Sequence, residues 1–300
     1  MGFSPTWLSL REPADRRARS ADLGETLARH LARRERPLIL DLGCGTGSNL
    51  RALAPHLGPR QDWVLVDYDP ALLEAAHAHL VAWADAAAHR KDAIFLHHGE
   101  KRIDVRFVRA DLAQGLDKLL ELAPDCVTAS ALFDLCSTAF IADAAARIAR
   151  SGAAFLTVLT YDGMERWEPA HPADDAVLAA FIAHQRTDKG FGVSAGPDAS
   201  RQLAQAFSQV DYTVLEASTP WILEAPRDSA LIAELAGGIV AAVLETQRVT
   251  EAEALGWHKA RLAAQRTVIG HRDCLALPPS GPSRQAHAGK DAVFADKPMV

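Results

Sequence analysis

Short apolar runs alternate with amphipathic stretches over the first 160 residues. Three leucines at a spacing of four, from Leu23 to Leu31, follow Ser20 and predict a helix that buries one face. Further helices are predicted near residues 48–57, 70–90 and 139–150. Short apolar strands are predicted at residues 37–43, 63–67, 105–111, 125–134 and 153–162. This alternation is typical of a parallel sheet with helices on both faces.

The regular alternation loosens beyond Tyr161. Residues 161–199 hold Pro, Gly and aromatic side chains over a stretch longer than an ordinary connection, which predicts an inserted helical lid. Residues 211–225 then predict two strands joined by a tight turn, added antiparallel at the edge of the sheet. Helices are predicted near residues 228–248 and 251–268. The chain from 278 to 300 mixes Pro, Gly, Ser and charge and predicts a disordered tail, so we expect one domain over residues 1–277.

Composition narrows the class of partner. The chain has 300 residues, a formal net charge of −6 and about half apolar residues. This balance gives no overall basic field, so it favours a small-molecule substrate over nucleic acid or a membrane. We find no signal-peptide pattern and no run of about 18 uninterrupted apolar residues, and therefore expect a cytoplasmic protein. The four cysteines form no CxxC pair, which predicts reduced thiols and no metal site.

In the stretch "LILDLGCGTGSNL", residues 38–50, a predicted strand ends near a carboxylate and is followed by three glycines within five residues. Glycine adopts positive φ and has no Cβ, so Gly43, Gly45 and Gly47 predict a sharp turn from strand to helix with a ligand lying against the backbone. Cys44 lies within this loop and is counted among the residues that line the ligand, but its thiol is assigned no chemistry.

The spacing of the glycines restricts the ligand. A dinucleotide fingerprint needs its third glycine five residues after the first, where this chain has Ser48, and the Lys-Ser/Thr ending of a P-loop is missing. Asp41 also places a negative charge at the mouth of the loop, which would repel pyrophosphate and suits a ligand with an amino group. Both phosphate-binding interpretations are therefore weakened.

Two further carboxylates fall where an adenosine could use them. Asp67 ends the second strand, where it could accept both ribose hydroxyls. Asp111 ends the third strand, where it could accept a hydrogen bond from the adenine amine, with Tyr68 and Leu112 as apolar faces for the ring. Because a parallel sheet gathers its carboxyl ends on one rim, we expect these groups to share one site.

At these motifs the sequence resembles the class I S-adenosylmethionine-dependent methyltransferases. The resemblance is carried by "LDLGCGTG", "VLVDYDP", "VRADL" and "DCVTASALFDL", and it covers residues 20–160 and, as the final strand pair, 200–225. It implies that the methionine part of the cofactor contacts Asp41, Gly43, Gly45 and Gly47. It also implies that the ribose contacts Asp67 and that the adenine contacts Asp111. It also implies a doubly wound, Rossmann-like α/β fold with a mostly parallel, seven-stranded sheet, and S-adenosylhomocysteine as the product.

Candidate acceptor residues follow the fourth and fifth strands, because ligands lie beyond the carboxyl ends of parallel strands. After the fourth strand, Ser130 is assigned to the cofactor and Asp134 to the substrate, with a helix cap as the alternative role of Asp134. The Asn/Asp-Pro-Pro-aromatic pattern of many amino-methylating members is missing. After the fifth strand, we predict catalytic contacts from Tyr161 and His171. Further substrate contacts are predicted from Trp167 and Lys189.

Other interpretations stay open at this stage. The segment around Arg11 could fold across the cofactor and pair with its carboxylate, or be a solvated arginine-rich helix. The protein could bind the cofactor without catalysis, and an NAD-type dehydrogenase is a weaker alternative. The acceptor atom, whether oxygen, nitrogen or carbon, is not determined, and a homodimer is open.

Overall fold

A computed structural model of the chain describes residues 4–90 and 93–279. Within those ranges the strands are β1 (Leu38–Leu42), β2 (Arg60–Asp67), β3 (Ala86–Arg90), β4 (Ala93–His98), β5 (Lys101–Arg109), β6 (Cys126–Ser130), β7 (Ala154–Glu168), β8 (Thr213–Ser218), β9 (Trp221–Glu224) and β10 (Arg266–Leu277). The α-helices are α1 (Pro5–Ala18), α2 (Ala21–Leu31), α3 (Ser48–Leu53), α4 (Pro70–Trp83), α5 (Leu112–Leu120), α6 (Thr138–Ser151), α7 (Asp174–Gln185), α8 (Ala199–Ser208), α9 (Ser229–Thr246) and α10 (Glu251–Arg261).

The strands form one mixed sheet in the order β3-β4-β5-β2-β1-β6-β7-β10-β8, with β9 paired to β10. The five strands from β5 to β7 in this order are parallel, and β10 runs antiparallel between β7 and β8. The doubly wound α/β class is therefore confirmed. The described sheet has ten strands rather than seven, because β3, β4 and β9 add to a seven-stranded centre.

Alternate residues of the central strands face two separate cores. In β1, Ile39 packs with the leucines of α2, whereas Leu38, Leu40 and Leu42 pack with α5 and α6. This pattern follows from the period of two in a strand and leaves both faces covered by helices. Since both faces are covered, the site has to lie at an edge of the sheet, where the strands end.

The predicted helix over residues 70–90 ends early. α4 stops at Trp83, and residues 86–90 form β3, which pairs with β4. The alanine-rich sequence there favours a helix by propensity alone, but β4 buries Ile94 and Leu96 and offers a free edge for pairing. Tertiary pairing thus overrides the local preference.

The carboxyl-terminal part of the sheet differs from prediction. The two strands within residues 211–225 do not form a hairpin, since β8 and β9 both pair with β10. The predicted helix over residues 251–268 ends at Arg261, and the strand after it was missed. Consequently α9 and α10 are inserted between β9 and β10 and are not an appendage after the sheet.

The predicted lid over residues 161–199 is only partly helical. β7 continues to Glu168 in register with β10, and α7 then packs against α9. α9 is the one helix of the described residues that is long and apolar enough to span a membrane, and it contributes Ile239 and Val243 to the core. Of the tail predicted over residues 278–300, residues 280–300 lie outside the described residues.

Candidate functional site

The glycine loop after β1 has the predicted strained conformation. Gly43, Gly45 and Gly47 all have positive φ, at 63°, 53° and 75°. A Cβ at Gly43 would lie 3.2 Å from Leu132, and one at Gly45 would lie 3.0 Å from Leu8. Glycine is required here both for the left-handed backbone and for close approach.

Asp41 lies fully buried beneath this loop. Its Oδ1 accepts a hydrogen bond of 2.7 Å from Nδ2 of Asn49, whereas Oδ2 has no partner among the described residues. Burial raises the pKa of Asp41 to about 7, although the Asn49 hydrogen bond and the charge of Arg19 oppose this. A buried acceptor without a donor is costly, and it marks a place where a ligand donor fits.

Arg19, just after α1, supplies a group of opposite charge near Asp41. Its Nη2 donates to Oδ1 of Asn49 at 2.8 Å, but its buried Nε finds no partner within residues 4–90 and 93–279. Both side chains are thus hydrogen-bonded to Asn49. Oδ2 of Asp41 remains an anionic acceptor without a donor, and Nε of Arg19 remains a cationic donor without an acceptor. This pair of groups fits the ammonium and carboxylate of an amino acid.

Asp67 lies at the end of β2 beside the loop. Its Oδ2 accepts from the backbone N–H of Gly45 at 2.9 Å, and Oδ1 accepts from that of Asp69 at 3.0 Å. Burial raises the pKa of Asp67, while these backbone hydrogen bonds lower it. The carboxylate thus braces the glycine loop, a role that sequence reasoning missed. The hydrogen bonds that we predicted from the ribose hydroxyls to Asp67 stay a prediction.

The predicted adenine contacts lie at neighbouring strand ends. Asp111 caps α5, accepting from the backbone N–H of Ala113 at 2.9 Å, and Leu112 behind it is buried. Tyr68 is 67% exposed, with the guanidinium of Arg109 5.7 Å from its ring centroid. An exposed aromatic ring beside a strand end remains available for stacking.

Two other predicted cofactor residues flank the loop. Ser130 is the last residue of β6 and is half-buried. Cys44 is buried, and burial together with the charges of Asp41 and Asp67 raises the pKa of its thiol. A thiol kept protonated is a poor nucleophile, which agrees with assigning no chemistry to Cys44.

Helix α1 lies across the glycine loop, as one of the two interpretations of this segment expected. Leu8 contacts Gly45, and Glu12 forms an ion pair with the buried guanidinium of Arg51. Arg51 in turn donates from Nη1 to the carbonyl of Thr46, within the loop, at 2.7 Å. α1 is therefore fastened to the loop itself and covers one side of the site.

Arg11 has a different partner from the one considered. Its Nε donates to Asp15 at 2.9 Å, and its guanidinium stacks 4.9 Å from the ring centroid of Trp221. Nε1 of Trp221 also donates to Asp15, at 3.0 Å. The cofactor carboxylate is better matched by Arg19, which no spacing in the sequence singled out.

Asp134 lies in the short turn after β6. It does not cap the following helix, because Ser137 does so by accepting from the backbone N–H of Phe140. Asp134 is only 8% exposed, and its Oδ1 is unpartnered in the part of the chain that the structure describes. Burial raises its pKa to about 6, against the opposing effects of its own backbone N–H and of Arg11.

Tyr161, predicted as a catalytic contact, has its hydroxyl engaged inside the protein. The buried hydroxyl donates to Oε1 of Glu165 at 2.9 Å, and burial together with the Glu165 charge raises the pKa of the phenol. Trp167 donates from Nε1 to Oε2 of the same carboxylate and packs 5.3 Å from Trp257. Both side chains are thus committed to an internal network, and Tyr161 is unsuited to be a general base.

His171 and Lys189 have other hydrogen-bond partners. Nδ1 of His171 accepts from the backbone N–H of Ala173 in the turn before α7, and no hydrogen bond or ring contact joins it to Tyr161 or Asp134 in the described ranges. Lys189 lies 3.4 Å from Nε2 of His184. The catalytic role of His171 and the substrate contact of Lys189 stay predictions. Nor does any group of three or more His, Cys, Asp or Glu suited to a metal occur among the described residues.

Comparison with known proteins matches the segment that carries the glycine loop. Residues 39–121 match a family model described as a methyltransferase domain, and this range contains Asp41, Asp67 and Asp111. The match supports the resemblance of this segment to the class I S-adenosylmethionine-dependent methyltransferases. Among curated proteins, the biotin biosynthesis bifunctional protein BioCD of Bordetella avium strain 197N is 49% identical over 67 residues, which are 22% of this chain and 14% of that protein.

Several solved structures resemble this chain at low sequence identity. The YcgJ protein from Bacillus subtilis is 14% identical, with 87% of this chain and 100% of that chain covered and a TM-score of 0.49. A methyltransferase from Geobacter sulfurreducens with S-adenosylhomocysteine is 16% identical, with 93% and 100% covered and a TM-score of 0.44. A phosphoethanolamine N-methyltransferase from Haemonchus contortus is 14% identical, with 93% and 59% covered and a TM-score of 0.45. Similarity this low says nothing about the substrate of this chain.

Proposed function

We propose that this protein binds S-adenosylmethionine and transfers its methyl group to a small polar molecule. One observation carries the proposal: Oδ2 of Asp41 and Nε of Arg19 are buried and unpartnered in the described chain, beside three left-handed glycines. An amino-acid-bearing nucleoside satisfies both atoms, whereas a pyrophosphate would meet the Asp41 carboxylate.

Different residues bind different parts of the cofactor. Asp41 receives the ammonium and Arg19 the carboxylate, while Asp67 and Asp111 accept from the ribose and the adenine. When bound, the cofactor supplies a methyl group on a positively charged sulfur. The protein's contribution is to hold the acceptor in line with that methyl and to exclude water, which α1 assists by covering the loop.

Calorimetric titration tests the cofactor assignment. We expect S-adenosylmethionine and S-adenosylhomocysteine to bind and NAD not to bind. Asp67→Ala should weaken binding by about 1 to 3 kcal/mol because a ribose hydrogen-bond acceptor is lost. Asp117→Ala, at an exposed carboxylate paired with Arg147, is the matched control and should bind as the wild type does. Failure of both methionine-based ligands to bind would overturn the proposal.

The remaining predictions concern the methyl acceptor, the location and the oligomeric state of the protein. A small-molecule acceptor stays a proposal, supported by the acidic net charge of the sequence. A cytoplasmic location and a homodimer also stay proposals. Transfer of a radiolabelled methyl group to a low-molecular-weight product is the measurement that separates catalysis from cofactor binding alone. Binding without any transfer would favour the non-catalytic alternative.

A further inference from the structure

We propose that Asp134 and His271 form the acceptor subsite, which takes a neutral or cationic molecule with two hydrogen-bond donors, and that Asp134 accepts the proton of the methylated group. This inference rests on the proposed methyl transfer and names the substrate class for it. Neither His271 nor a catalytic role for Asp134 was predicted from the sequence.

The two residues come from different elements that meet at the rim. Asp134 follows β6, the strand beside β1, and its neighbour Leu132 lies over Gly43 of the cofactor loop. His271 lies on β10 directly opposite Tyr161 of β7. The turn that carries Asp134 packs against β7, the strand that carries Tyr161, and Arg11 stacks on Trp221, whose ring packs against that of His271. The acceptor subsite therefore adjoins the glycine loop.

Both residues present a buried polar atom without a hydrogen-bond partner. Asp134 is 8% exposed and His271 is 5% exposed, and Oδ1 of Asp134 and Nδ1 of His271 are unpartnered within the described residues. Burial and the charge of Arg11 lower the pKa of His271 to about 3, so the ring is neutral and one of its two nitrogens can accept a hydrogen bond.

The walls of the subsite select against anions. Trp221 and Tyr161 lie 5.1 and 6.3 Å from the His271 ring, centroid to centroid. The nearby cation, Arg11, already donates from both Nε and Nη2 to Asp15. A carboxylate or phosphate would thus face the Asp134 carboxylate, with the neighbouring guanidinium of Arg11 already engaged by Asp15. Donor groups, and a cation against the aromatic rings, would be favourable.

The chemistry balances with Asp134 as the base. The O–H or N–H bond of the acceptor gives its proton to Oδ1 of Asp134. The electron pair of that oxygen or nitrogen forms the new bond to the methyl carbon, and the carbon–sulfur bonding pair leaves with the sulfur. A carboxylate with a pKa of about 6 is largely ionised at pH 7 and can take this proton.

Matched pairs of small molecules test the charge selection. Tyramine and 4-hydroxyphenylacetate share a phenol but carry opposite charges, as do ethanolamine and glycolate with their shared hydroxyl. With S-adenosylhomocysteine saturating, we expect tyramine or ethanolamine to raise the melting temperature and the acids to leave it unchanged. Stabilisation by the acids, or by none of the four, would overturn the inference.

Variants test the base separately from the cofactor. With the stabilising probe as acceptor and radiolabelled S-adenosylmethionine, Asp134→Asn should slow transfer about 100-fold or more. Asp134→Glu should recover part of the rate, and His271→Phe should mainly raise KM. Asp143→Asn, at an exposed carboxylate on α6, is the control. Calorimetry with S-adenosylhomocysteine should give one affinity for all four variants and the wild type.

The outcomes distinguish the two proposals. If the wild type fails to bind S-adenosylhomocysteine, the cofactor assignment fails. If it binds and Asp134→Asn transfers at the wild-type rate, only the acceptor subsite is wrong. The wild-type rate should also fall as the pH drops below about 6, because Asp134, facing Arg11, Tyr161 and His271, then becomes protonated.

Discussion

Cofactor binding should release a proton from Asp41. Burial raises the pKa of this carboxyl to about 7, so in the free protein it is about nine-tenths protonated at pH 6 and about one-tenth at pH 8. An ammonium placed against the unpartnered Oδ2 lowers the pKa by about 1 to 3 units. Binding should therefore release about 0.8 proton at pH 6 and about 0.1 at pH 8. The apparent Kd should fall about tenfold between these pH values.

The assay is calorimetric titration of S-adenosylhomocysteine at both pH values, in two buffers of different ionisation enthalpy. The dependence of the observed enthalpy on the buffer gives the number of protons released. Asp41→Asn is the matched control, because it keeps the shape of the side chain and cannot titrate. It should release no proton at pH 6 and bind about 10 to 150 times more weakly, from the loss of about 1.5 to 3 kcal/mol.

The same substitution should act in the opposite direction on folding. A carboxyl whose pKa is raised in the folded state destabilises the fold above its unfolded pKa of 3.8, increasingly up to about pH 7. Asp41→Asn should therefore unfold at a higher denaturant concentration than the wild type at pH 8, with no gain near pH 3.

In the calorimetric titration, equal proton release from the wild type and from Asp41→Asn would refute the assignment of the ammonium to Asp41.

Three further predictions concern stability, measured by denaturant unfolding. Gly47→Ala should lose about 1 to 2 kcal/mol, since alanine resists the left-handed backbone at φ 75°. Gly24→Ala should gain about 0.5 to 1 kcal/mol, because Gly24 lies inside α2 with open space around it; a loss there would contradict the helix. Glu12→Gln should lose about 2 to 4 kcal/mol by leaving the buried Arg51 without its charge partner, whereas Glu25→Gln, at an exposed pair, should change stability by less than about 0.5 kcal/mol.

The cofactor half of the site was predictable because its signals are local. Asp41 and the three glycines lie within seven residues, and the need for positive φ leaves glycine as the favoured residue. Asp67 could be placed because strand ends of a parallel sheet share one rim. The hydrogen bond from the backbone N–H of Gly45 to Asp67 was missed because the hydrophobic pattern of a sequence does not show which loops lie close together.

The acceptor half was mostly not predictable. β10 was missed because bulges on either side of His271 interrupt the alternation along the strand. Tyr161 was chosen for its position after the fifth strand, but only packing shows that Glu165 takes its hydroxyl. Arg19 belongs to an arginine-rich stretch in which nothing in the sequence marks one guanidinium as buried.

The sequence by itself determined the class of fold and the kind of cofactor, because the glycine spacing and the strand-end carboxylates act within short segments. Tertiary structure alone decided which groups remain unsatisfied. Asp273, more than 200 residues from α1, accepts from the backbone N–H of Ser20 and so ties β10 to the segment that carries Arg19. Contacts over such separations depend on how whole elements pack, and this packing brings His271, Tyr161 and Asp134 to one rim.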